Sequence, residues 1–347
     1  MDKSTEHRLQ RPNMKQVAAK AGVSTMTVSR VLRNPDQVSQ ATRVKVKYVA
    51  KSMGYVPNLQ AGSLSSRKSR TVAMLIPSLD NSAFAQTVGG LSQMLEQAGY
   101  QLVLGYTQYS LMGEVKLIET MLGRQPDAMV LIGAHHKKQS IRSLKQAGIP
   151  VVELWGLPEE PIDAAVGFSN KESAKAMVHY LATKGYRQIV FLSSSAANDF
   201  RGELRYEGYQ EAMREHNLTP LGLNVGGKNN NVASWHHGTD AYHLLKAITP
   251  QPDAVFCVSD MLAAATMAVF TRNGHRIPED LAIAGHGDFE FSKIINPSLT
   301  TVNVHSFEMG VRAAEVILQR LELNGEDEPS TRGLIDLGFE VIIRESA

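Results

Sequence analysis

Residues 22–34, GVSTMTVSRVLRN, combine hydroxyl side chains, a thioether and two arginines in the most basic part of the chain. A guanidinium can bind guanine O6 and N7 in a bidentate manner, a thioether can pack on a thymine methyl group, and hydroxyls can bond phosphate oxygens. This combination indicates contact with duplex DNA. We expect base contacts from Thr25, Met26 and Arg30, and phosphate contacts from Thr27, Ser29 and Asn34.

Two short helices must present these side chains. Gly22 can adopt the positive φ of a sharp turn between them, and Ser24 is a candidate N-cap of the second helix. That helix is expected to begin near Thr25 and to enter the major groove, as in a helix-turn-helix. Small apolar side chains are spaced to face one another across both helices: Val17, Ala21, Val23, Val28 and Val31. The alternatives are a hairpin that serves only for packing, and hydroxyls that only cap or back-bond helices.

A third helix is predicted over 39–54, with Ser39 as its cap and Gly54 as its stop. Val44, Tyr48 and Val49 are expected to close the small core of these helices. Residues 1–70 carry 14 Lys and Arg against 3 Asp and Glu, whereas the remaining residues carry 22 against 31. A head of net charge +11 on a body of −9 is expected where the head contacts a polyanion.

The composition is that of a globular protein with more than one domain. At 347 residues the chain is too long for one hydrophobic core, and 43% hydrophobic and 20% charged residues are ordinary values. It has no apolar run of about 18 residues, which a membrane helix needs, and its N-terminus lacks the apolar core of a secretory signal. The single cysteine, Cys257, cannot form an internal disulfide. We therefore expect a cytoplasmic protein.

The pattern along the chain predicts an all-α head joined to an α/β domain. The expected segments are a disordered tail at 1–12, the helix-turn-helix domain at 13–57, a hinge or linker at 58–70, and the remaining domain at 71–347. In the last segment short β-branched runs alternate with amphipathic stretches, which is typical of parallel strands covered by helices. The alternation restarts near residue 171, so we expect two similar halves with a ligand between them at the carboxyl ends of the strands.

Several runs of the sequence, spread from Asn13 to Glu345, resemble the lactose-repressor (LacI/GalR) family of transcriptional regulators. The most specific are VAAKAGVSTMTVSRVLRNPDQVS and GYVPN; further matches are RYEGYQEAM, DAVFCVSDMLA and NPSLTTV. PSLDNSAFA and VVELW with DAAVGFSN are most similar to repressors of gluconate or idonate utilisation. The resemblance implies a core like a periplasmic sugar-binding protein, with subdomains of about 71–166 with 290–322 and 167–289 with 323–347.

The resemblance also implies a homodimer whose hinge folds into a short helix on operator DNA. A hinge leucine, here Leu64, would wedge into the minor groove. Tyr55 and Asn58, in the GYVPN run, are further expected DNA contacts. The segment is too short to be helical alone, and Gly62 stands where the family often has arginine. The lost contact would have to come from a nearby cation: Arg67, Lys68 or Arg70.

For the effector, the resemblance implies contacts from several parts of the core. These are Asn81, Ser82, Phe84, Phe168, Arg201, Arg205, Ser259 and Asp260. Ser259 departs from the asparagine that is usual at its position. Gly287 replaces an aspartate that bonds sugar hydroxyls in relatives, so that His286 or Asp288 would have to substitute.

The two arginines of this set, Arg201 and Arg205, lie one helical turn apart. They suit a carboxylate or a phosphate, because guanidinium binds oxyanions in a fork. We therefore expect a sugar acid of the gluconate type or its phosphate. The alternative is that one arginine pairs with a glutamate on the same helix, Glu203 or Glu207. His135 and His136 end a predicted strand that faces the cleft, and are weaker candidates for ligand contact.

Together these features predict a dimeric, sequence-specific repressor of a sugar-acid catabolic operon, with operator affinity controlled allosterically by a small effector. The dimer surface is expected from the FAQTVGGLSQML and MLAAATMAVF runs. Without a leucine-heptad tail, a dimer is favoured over a coiled-coil tetramer. No cofactor and no metal are expected. A metal site from His236, His237 and His243 has no further support in the sequence.

Three other functions are weighed against this one. A periplasmic sugar-binding protein would need a signal peptide and no basic helix-turn-helix. A nucleotide-dependent α/β enzyme is disfavoured, because no GxGxxG opens the first βα unit and neither a P-loop, a Ser-His-Asp set nor HExxH is visible. A transcriptional activator would use the same residues, so the sequence does not distinguish it from a repressor.

Overall fold

The computed structural model describes residues 12–56, 68–78, 82–194, 199–225, 236–322 and 333–347. Asn58, Leu64 and Asn81 lie outside these ranges, as do the tail at 1–11 and most of the expected hinge. The chain divides after Ser69 into two compact units, which we call the head and the core.

Within residues 12–56 the head has three α-helices: α1 (Met14–Ala21), α2 (Thr25–Arg33) and α3 (Gln40–Ser52). Each begins at a side chain that accepts a bond from a backbone N–H of the first turn. Asn13 and Gln16 form a capping box before α1. Ser24 Oγ accepts from the N–H of Thr27 at 3.1 Å, and Ser39 caps α3. The two serine caps are those that the sequence predicted.

One apolar cluster holds the head together. Its buried members are Val17, Ala18, Ala21, Val28, Val31, Val46, Val49 and Ala50. Gly22 takes the predicted positive φ, +62°, between α1 and α2. The prediction for α3 was partly wrong, since Val44 and Tyr48 are 61% and 73% exposed. Residues 46, 49 and 50 repeat at helical spacing and turn toward α1 and α2, which leaves 44 and 48 on the outer face.

The core is an α/β structure, as predicted. Its described strands are β1 (Thr71–Ile76), β2 (Gln101–Tyr106), β3 (Ala128–Ile132), β4 (Val151–Leu154), β5 (Ala164–Gly167), β6 (Ile189–Ser193), β7 (Leu221–Asn224), β8 (Ala254–Cys257), β9 (Ala282–Ala284), β10 (Thr301–Asn303), β11 (Gly333–Asp336) and β12 (Glu340–Ile342). In the described ranges they form a six-stranded sheet, β11-β5-β4-β3-β1-β2, a four-stranded sheet, β7-β6-β8-β9, and the pair β10-β12. The two larger sheets are parallel throughout, and β10-β12 is antiparallel.

Helices cover the sheets. The described ones are α4 (Ser82–Gln97), α5 (Leu111–Leu122), α6 (Lys138–Ala147), α7 (Asn170–Thr183), α8 (Phe200–Glu215), α9 (His237–Lys246), α10 (Asp260–Arg272) and α11 (Ser306–Glu322). Most side chains of the parallel strands are buried, and the strand sequences are accordingly apolar runs such as AMVLI and AVFC.

Helices α4 and α11 cross at a point where the backbones touch. A Cβ added to Gly90 would overlap the carbonyl oxygen of Phe307, and one added to Gly310 would overlap that of Thr87. Thr87 also donates from its hydroxyl to Ser306 O at 3.0 Å. The crossing therefore joins residues 306–322 to the first sheet, where α11 also contacts β4 and β5.

Helix α10 is largely inside the core. Of the ten residues in its MLAAATMAVF run, eight are buried by the chain itself, and Gly238 of α9 packs directly on Ala265 O. Most apolar side chains of this run therefore form the contact with α9 and the second sheet, and only Ala268 and Val269 of the run stay accessible to the dimer partner that the sequence predicted.

The C-terminal segment is shared between the two halves. We expected 323–347 to belong to the second half, but β11 pairs in parallel with β5 and completes the first sheet. The pairing supplies hydrogen-bond partners to the edge of β5. The last residues do pack on the second half, where Ser346 Oγ donates to Ile283 O and Tyr180 OH donates to Ala347 O.

Candidate DNA-binding face and effector cavity

Helix α2 has one buried side and one exposed side. Val28 and Val31 lie in the head cluster, whereas Thr25, Met26 and Arg30 are exposed. Met26 and Arg30 are four residues apart, so they project from the same face of the helix. The three residues predicted to contact bases thus lie together on a surface that a major groove can reach.

The residues predicted to contact phosphate have more varied surroundings. The Thr27 hydroxyl is 2.9 Å from Ser24 Oγ, so it already has one local partner. Ser29 is half-buried, and Asn34 is exposed at the C-cap of α2. Tyr55 is half-buried against the head cluster, so its ring also supports the fold.

The core encloses a cavity of about 530 Å³, which we call the core cavity. Its wall comes from residues within 107–114, 132–135, 156–157, 168–171 and 199–207, together with Pro77. These segments follow the carboxyl ends of β1 to β5 or begin α8, so both halves contribute. Phe168 and Arg201 are the predicted effector contacts that this wall contains. Such a position is where open α/β sheets bind ligands.

Arg201 is in the cavity wall, where its guanidinium lies between aromatic rings and a carboxylate. Its Nη2 is 3.3 Å from Asp199 Oδ1, and its guanidinium carbon is 5.0 Å from the ring centre of Phe84 and 5.9 Å from that of Tyr109. Phe84 in turn packs edge-on against Trp155. Burial and the nearby Asp199 raise the pKa of Tyr109 to about 12, so the phenol stays neutral. Phe84 thus acts through Arg201, as a cation–π support.

Arg205 is not among the residues that line the core cavity, and only 8% of its surface is exposed. Its Nη1 donates to His286 Nδ1 at 3.0 Å, while its Nε is buried and has no hydrogen-bond partner among the described residues. Burial lowers the pKa of Arg205 to about 10, and Asp199 opposes that shift. The guanidinium therefore keeps its charge at neutral pH. Neither arginine pairs with Glu203 or Glu207, since Arg201 pairs with Asp199 instead.

His286 supports Arg205 and is fully buried. Its Nε2 is 3.0 Å from Ser173 Oγ, and Ser173 Oγ donates to Asn170 O at 2.9 Å. Burial and the positive charges of Arg205 and Arg201 hold the pKa of His286 far below its usual range. The imidazole is therefore neutral, and it accepts from Arg205 through Nδ1.

The structure does not bring Ser259, Asp260 and Asp288 into the wall of the core cavity. Ser259 caps α10. Asp260 is fully buried and accepts from the N–H of Phe289 and from the hydroxyls of Ser292 and Thr301. Burial raises its pKa to about 6 despite these bonds.

Asp288 is likewise committed to protein contacts. Its Oδ1 accepts from Arg344 Nη2 at 2.5 Å, and Lys293 Nζ is 3.9 Å from Oδ2. These partners lie far from each other in sequence. The family resemblance indicated a carboxylate at position 288. It could not indicate that Arg344, which is distant in sequence, neutralises that carboxylate.

Several wall residues were not predicted. Asn170 donates from Nδ2 to Trp155 O at 2.9 Å, while its buried Oδ1 has no hydrogen-bond partner within the described ranges. Tyr109 and Asp199 complete the surroundings of Arg201. Asn170, Tyr109 and Asp199 each lie a few residues after the end of a strand. Because ligands bind at the carboxyl ends of strands in open α/β sheets, their positions in the sequence were a usable signal.

The two histidines after β3 have different positions. His135 is in the cavity wall, with its ring centre 3.8 Å from that of Phe200. His136 is buried between two carboxylates: its Nδ1 is 3.0 Å from Glu114 and its Nε2 is 3.5 Å from Glu153. Burial alone would lower the pKa of His136, but the bonds to both glutamates raise it to about 9. His136 is therefore a charged structural residue and does not face the ligand space.

Comparison with known proteins now places the chain. Residues 13–58 match the family described as bacterial regulatory proteins, lacI family, and residues 178–347 match a periplasmic binding protein-like domain. The transcriptional regulator GntR of Escherichia coli is 35% identical over 329 residues, which are 95% of this chain and 96% of GntR. The regulator IdnR of the same species is 31% identical over 332 residues, covering 95% and 97%. The chain belongs to the LacI family.

A solved structure agrees with this assignment. A LacI-family transcriptional regulator from Silicibacter pomeroyi is 32% identical, with a TM-score of 0.87 over 96% of this chain and 99% of that chain. The relatives named here are all transcriptional regulators. The LacI-family protein is therefore a DNA-binding transcription regulator with a ligand-binding core, as the sequence predicted, and the interpretation as a free sugar-binding protein is set aside.

Two further observations concern the described residues alone. No helix among them is both long and apolar enough to cross a membrane. No three His, Cys, Asp or Glu side chains in those ranges are grouped in a way that could hold a metal ion.

Proposed function

We propose that this LacI-family regulator represses a sugar-acid catabolic operon, and that a non-phosphorylated acid of the gluconate type binds in the core and controls its affinity for the operator. The observation that carries the proposal is Arg205, a buried cation whose Nε has no hydrogen-bond partner among the described residues and which forms no ion pair with a described carboxylate. The sequence runs that resemble regulators of gluconate or idonate utilisation, and the similarity to GntR and IdnR, support the class of effector.

The charges around Arg205 favour a ligand with one negative charge. Among the described residues Arg201 pairs with Asp199, whereas Arg205 hydrogen-bonds to the neutral His286 and forms no ion pair with a carboxylate. The cluster therefore carries an excess of one positive charge in a buried place, where an uncompensated ion is costly. A carboxylate can offset that charge and accept from the free Nε in a fork.

The wall of the core cavity favours hydroxyl groups on the same ligand. Within the described ranges the buried Oδ1 of Asn170 has no donor, and an unsatisfied buried polar group costs about 1–3 kcal/mol. Glu203 and Glu207 add exposed carboxylates to the wall. They can accept from hydroxyls, and they repel a phosphate dianion more strongly than a carboxylate with a single charge. A polyhydroxy acid meets both requirements, and a sugar phosphate does not.

On the DNA side, the exposed face of α2 supports the proposed base contacts of Thr25, Met26 and Arg30. Thr27, Ser29, Asn34, Tyr55 and Asn58 are proposed to fix the head on the phosphates, and Leu64 to enter the minor groove. A dimer would place two such heads on the half-sites of a pseudopalindromic operator. The edge strand β2 offers a surface for dimerisation, because Val103, Leu104 and Tyr106 are partly exposed on it.

Regulation follows if the effector binds one closure state of the core better than the other. A difference of about 1–3 kcal/mol would change operator affinity by roughly 5–150-fold. The rings of His135 and Phe200, which belong to different halves of the core, are already in contact. A bound ligand can strengthen or replace this contact and so change how far the two halves close.

Calorimetric titration of the purified dimer tests the proposal. Gluconate is expected to bind, and 6-phosphogluconate, glucose and galactose are expected to bind at least about tenfold more weakly. A gel shift on operator fragments with and without gluconate then measures coupling. Equal binding of glucose and gluconate would contradict the acid effector, and unchanged operator affinity in saturating gluconate would contradict its regulatory role.

A further inference from the structure

The loop after β9 places His286 between Arg205 and Ser173, beneath the ring of Phe168. The Phe168 and His286 ring centres are 5.9 Å apart, and His286 is only 1% exposed. His286 does not form part of the core cavity wall as described above. Its relation to a ligand is therefore indirect, through the residues that it holds.

The hydrogen bonds determine which nitrogen of His286 carries the proton. Arginine has donors only, so Nδ1 must be the acceptor in the 3.0 Å bond from Arg205 Nη1. Nε2 must then carry the hydrogen and donate to Ser173 Oγ, whose own hydrogen goes to Asn170 O. Each donor in this chain of bonds has an acceptor. A second proton on the imidazole would point directly at the guanidinium.

We infer that His286 is a specificity-determining residue, because it orients the Arg205 guanidinium with a neutral acceptor and so reserves its charge for the carboxylate of the effector. The inference rests on the proposed sugar-acid function. His286 is thus a positioning residue and not the ligand contact that was expected from the sequence.

A carboxylate at this position would do the opposite. It would accept from the same Nη1, but it would also pair with the charge of Arg205, and a ligand carboxylate would then have to compete with it. The cluster would lose its excess positive charge. The same cavity would then favour an uncharged polyol over an acid, with Asn170, Glu203 and Glu207 still available to hydroxyl groups.

The matched variants His286→Asp and His286→Asn test this inference, since they have the same shape and differ in charge. Titration with gluconate and with sorbitol, which has a hydroxymethyl group in place of the carboxylate, separates charge from packing. We expect His286→Asp to bind gluconate at least about tenfold more weakly than His286→Asn does. The affinities of the two variants for sorbitol should agree within about threefold. Equal gluconate affinities of the two variants would overturn the inference.

Failure of the proposed function has a different signature. If the wild-type protein binds no sugar acid, that proposal is wrong whatever the variants do. The melting temperatures without ligand still test the charge relation: His286→Asp should melt above His286→Asn, because only the aspartate pairs with the buried Arg205. Equal melting temperatures would contradict it.

A measurement on the wild-type protein needs no variant to fold. In the NMR spectrum of protein with ¹⁵N-labelled histidine, His286 should show a neutral ring protonated at Nε2 at pH 7. An imidazolium at that pH would overturn the inference. If the aspartate and asparagine variants do not fold, His286→Glu and His286→Gln repeat the comparison with one more methylene.

Discussion

The exposed face of α2 and the surroundings of Arg205 are both proposed to recognise an anion through an arginine, but in opposite settings. Arg30 is exposed on a helix whose other side is packed, whereas Arg205 is buried and its Nε has no hydrogen-bond partner in the part of the chain that the structure describes. The first site requires only that the helix places Arg30 on the face opposite its packed side. The second depends on which distant groups neutralise the cation. A surface site can therefore be inferred from local sequence, and a buried site requires the fold.

The largest effect is expected at the DNA face. Arg30→Ala should weaken operator binding by about 10–100-fold, because a bidentate base contact is lost in both half-sites. Ligand binding and the melting temperature should be unchanged. Gel shifts measure this. Lys47→Ala, which removes the same charge from the exposed face of α3, is the matched control and should weaken binding less. Equal effects of both variants would reduce the role of Arg30 to bulk charge.

Next in size is the loss of the buried cation. Arg205→Ala should weaken gluconate binding by about 30-fold or more, because the ligand carboxylate loses a buried charged partner. Calorimetry measures the affinity, and a gel shift without effector should be unaffected. Arg214→Ala, an exposed arginine on the same helix, should leave affinity within about threefold. If the two variants behaved alike, Arg205 would not contact the effector.

The aromatic support of Arg201 should matter less. Phe84→Leu removes the ring 5.0 Å from the Arg201 guanidinium and should weaken gluconate binding by about 2–10-fold. Operator binding without effector should stay the same. A weakening equal to that of Arg205→Ala would mean that Phe84 determines the shape of the cavity and not only the position of Arg201.

His136 gives the core an alkaline limit. Its pKa is about 9 in the folded protein, above the usual value of 6.5, so its contribution to stability is fully present below pH 6.5 and is lost as the pH rises through 9. Thermal unfolding between pH 7 and 10 measures this loss. His136→Gln, which cannot become charged, should be less stable at pH 7 and should lose less between pH 7 and 10. Parallel curves for both proteins would contradict the assignment.

The smallest effect is expected on the outer face of α3. Tyr48→Gln should change the free energy of unfolding by no more than about 0.5 kcal/mol, since the side chain is exposed. Val46→Ala, at a buried position of the same helix, should cost about 1–3 kcal/mol. Hydrogen exchange of the α3 amides in the full-length protein compares them. The reverse order would favour the helix phase first inferred from the sequence.

These contrasts show what the sequence could predict. Caps and turns depend on neighbouring residues, so Ser24, Ser39 and Gly22 were placed correctly. The phase of α3 was misjudged because valines occur on both of its sides, at 44 and at 46 and 49. Sequence alone does not show which of them meets α1 and α2.

The core shows the same limit over longer distances. Alternating strands and helices gave the α/β class, and the spacing of Arg201 and Arg205 indicated an anion site. The partners that decide each residue's role lie far away in sequence: Arg344 for Asp288, Thr301 for Asp260, and His286 for Arg205. The place of β11 beside β5 is likewise a pairing across more than 160 residues, with no local signal in either strand.

The crossing of α4 and α11 also has a genetic consequence. Because neither Gly90 nor Gly310 has space for a Cβ, any amino-acid substitution at either position inserts a side chain into a contact between backbones. In a screen for constitutive expression of the operon that we propose this protein represses, we expect loss-of-function alleles to recur at these two codons. Such alleles would leave every DNA-contacting and effector-contacting side chain unchanged.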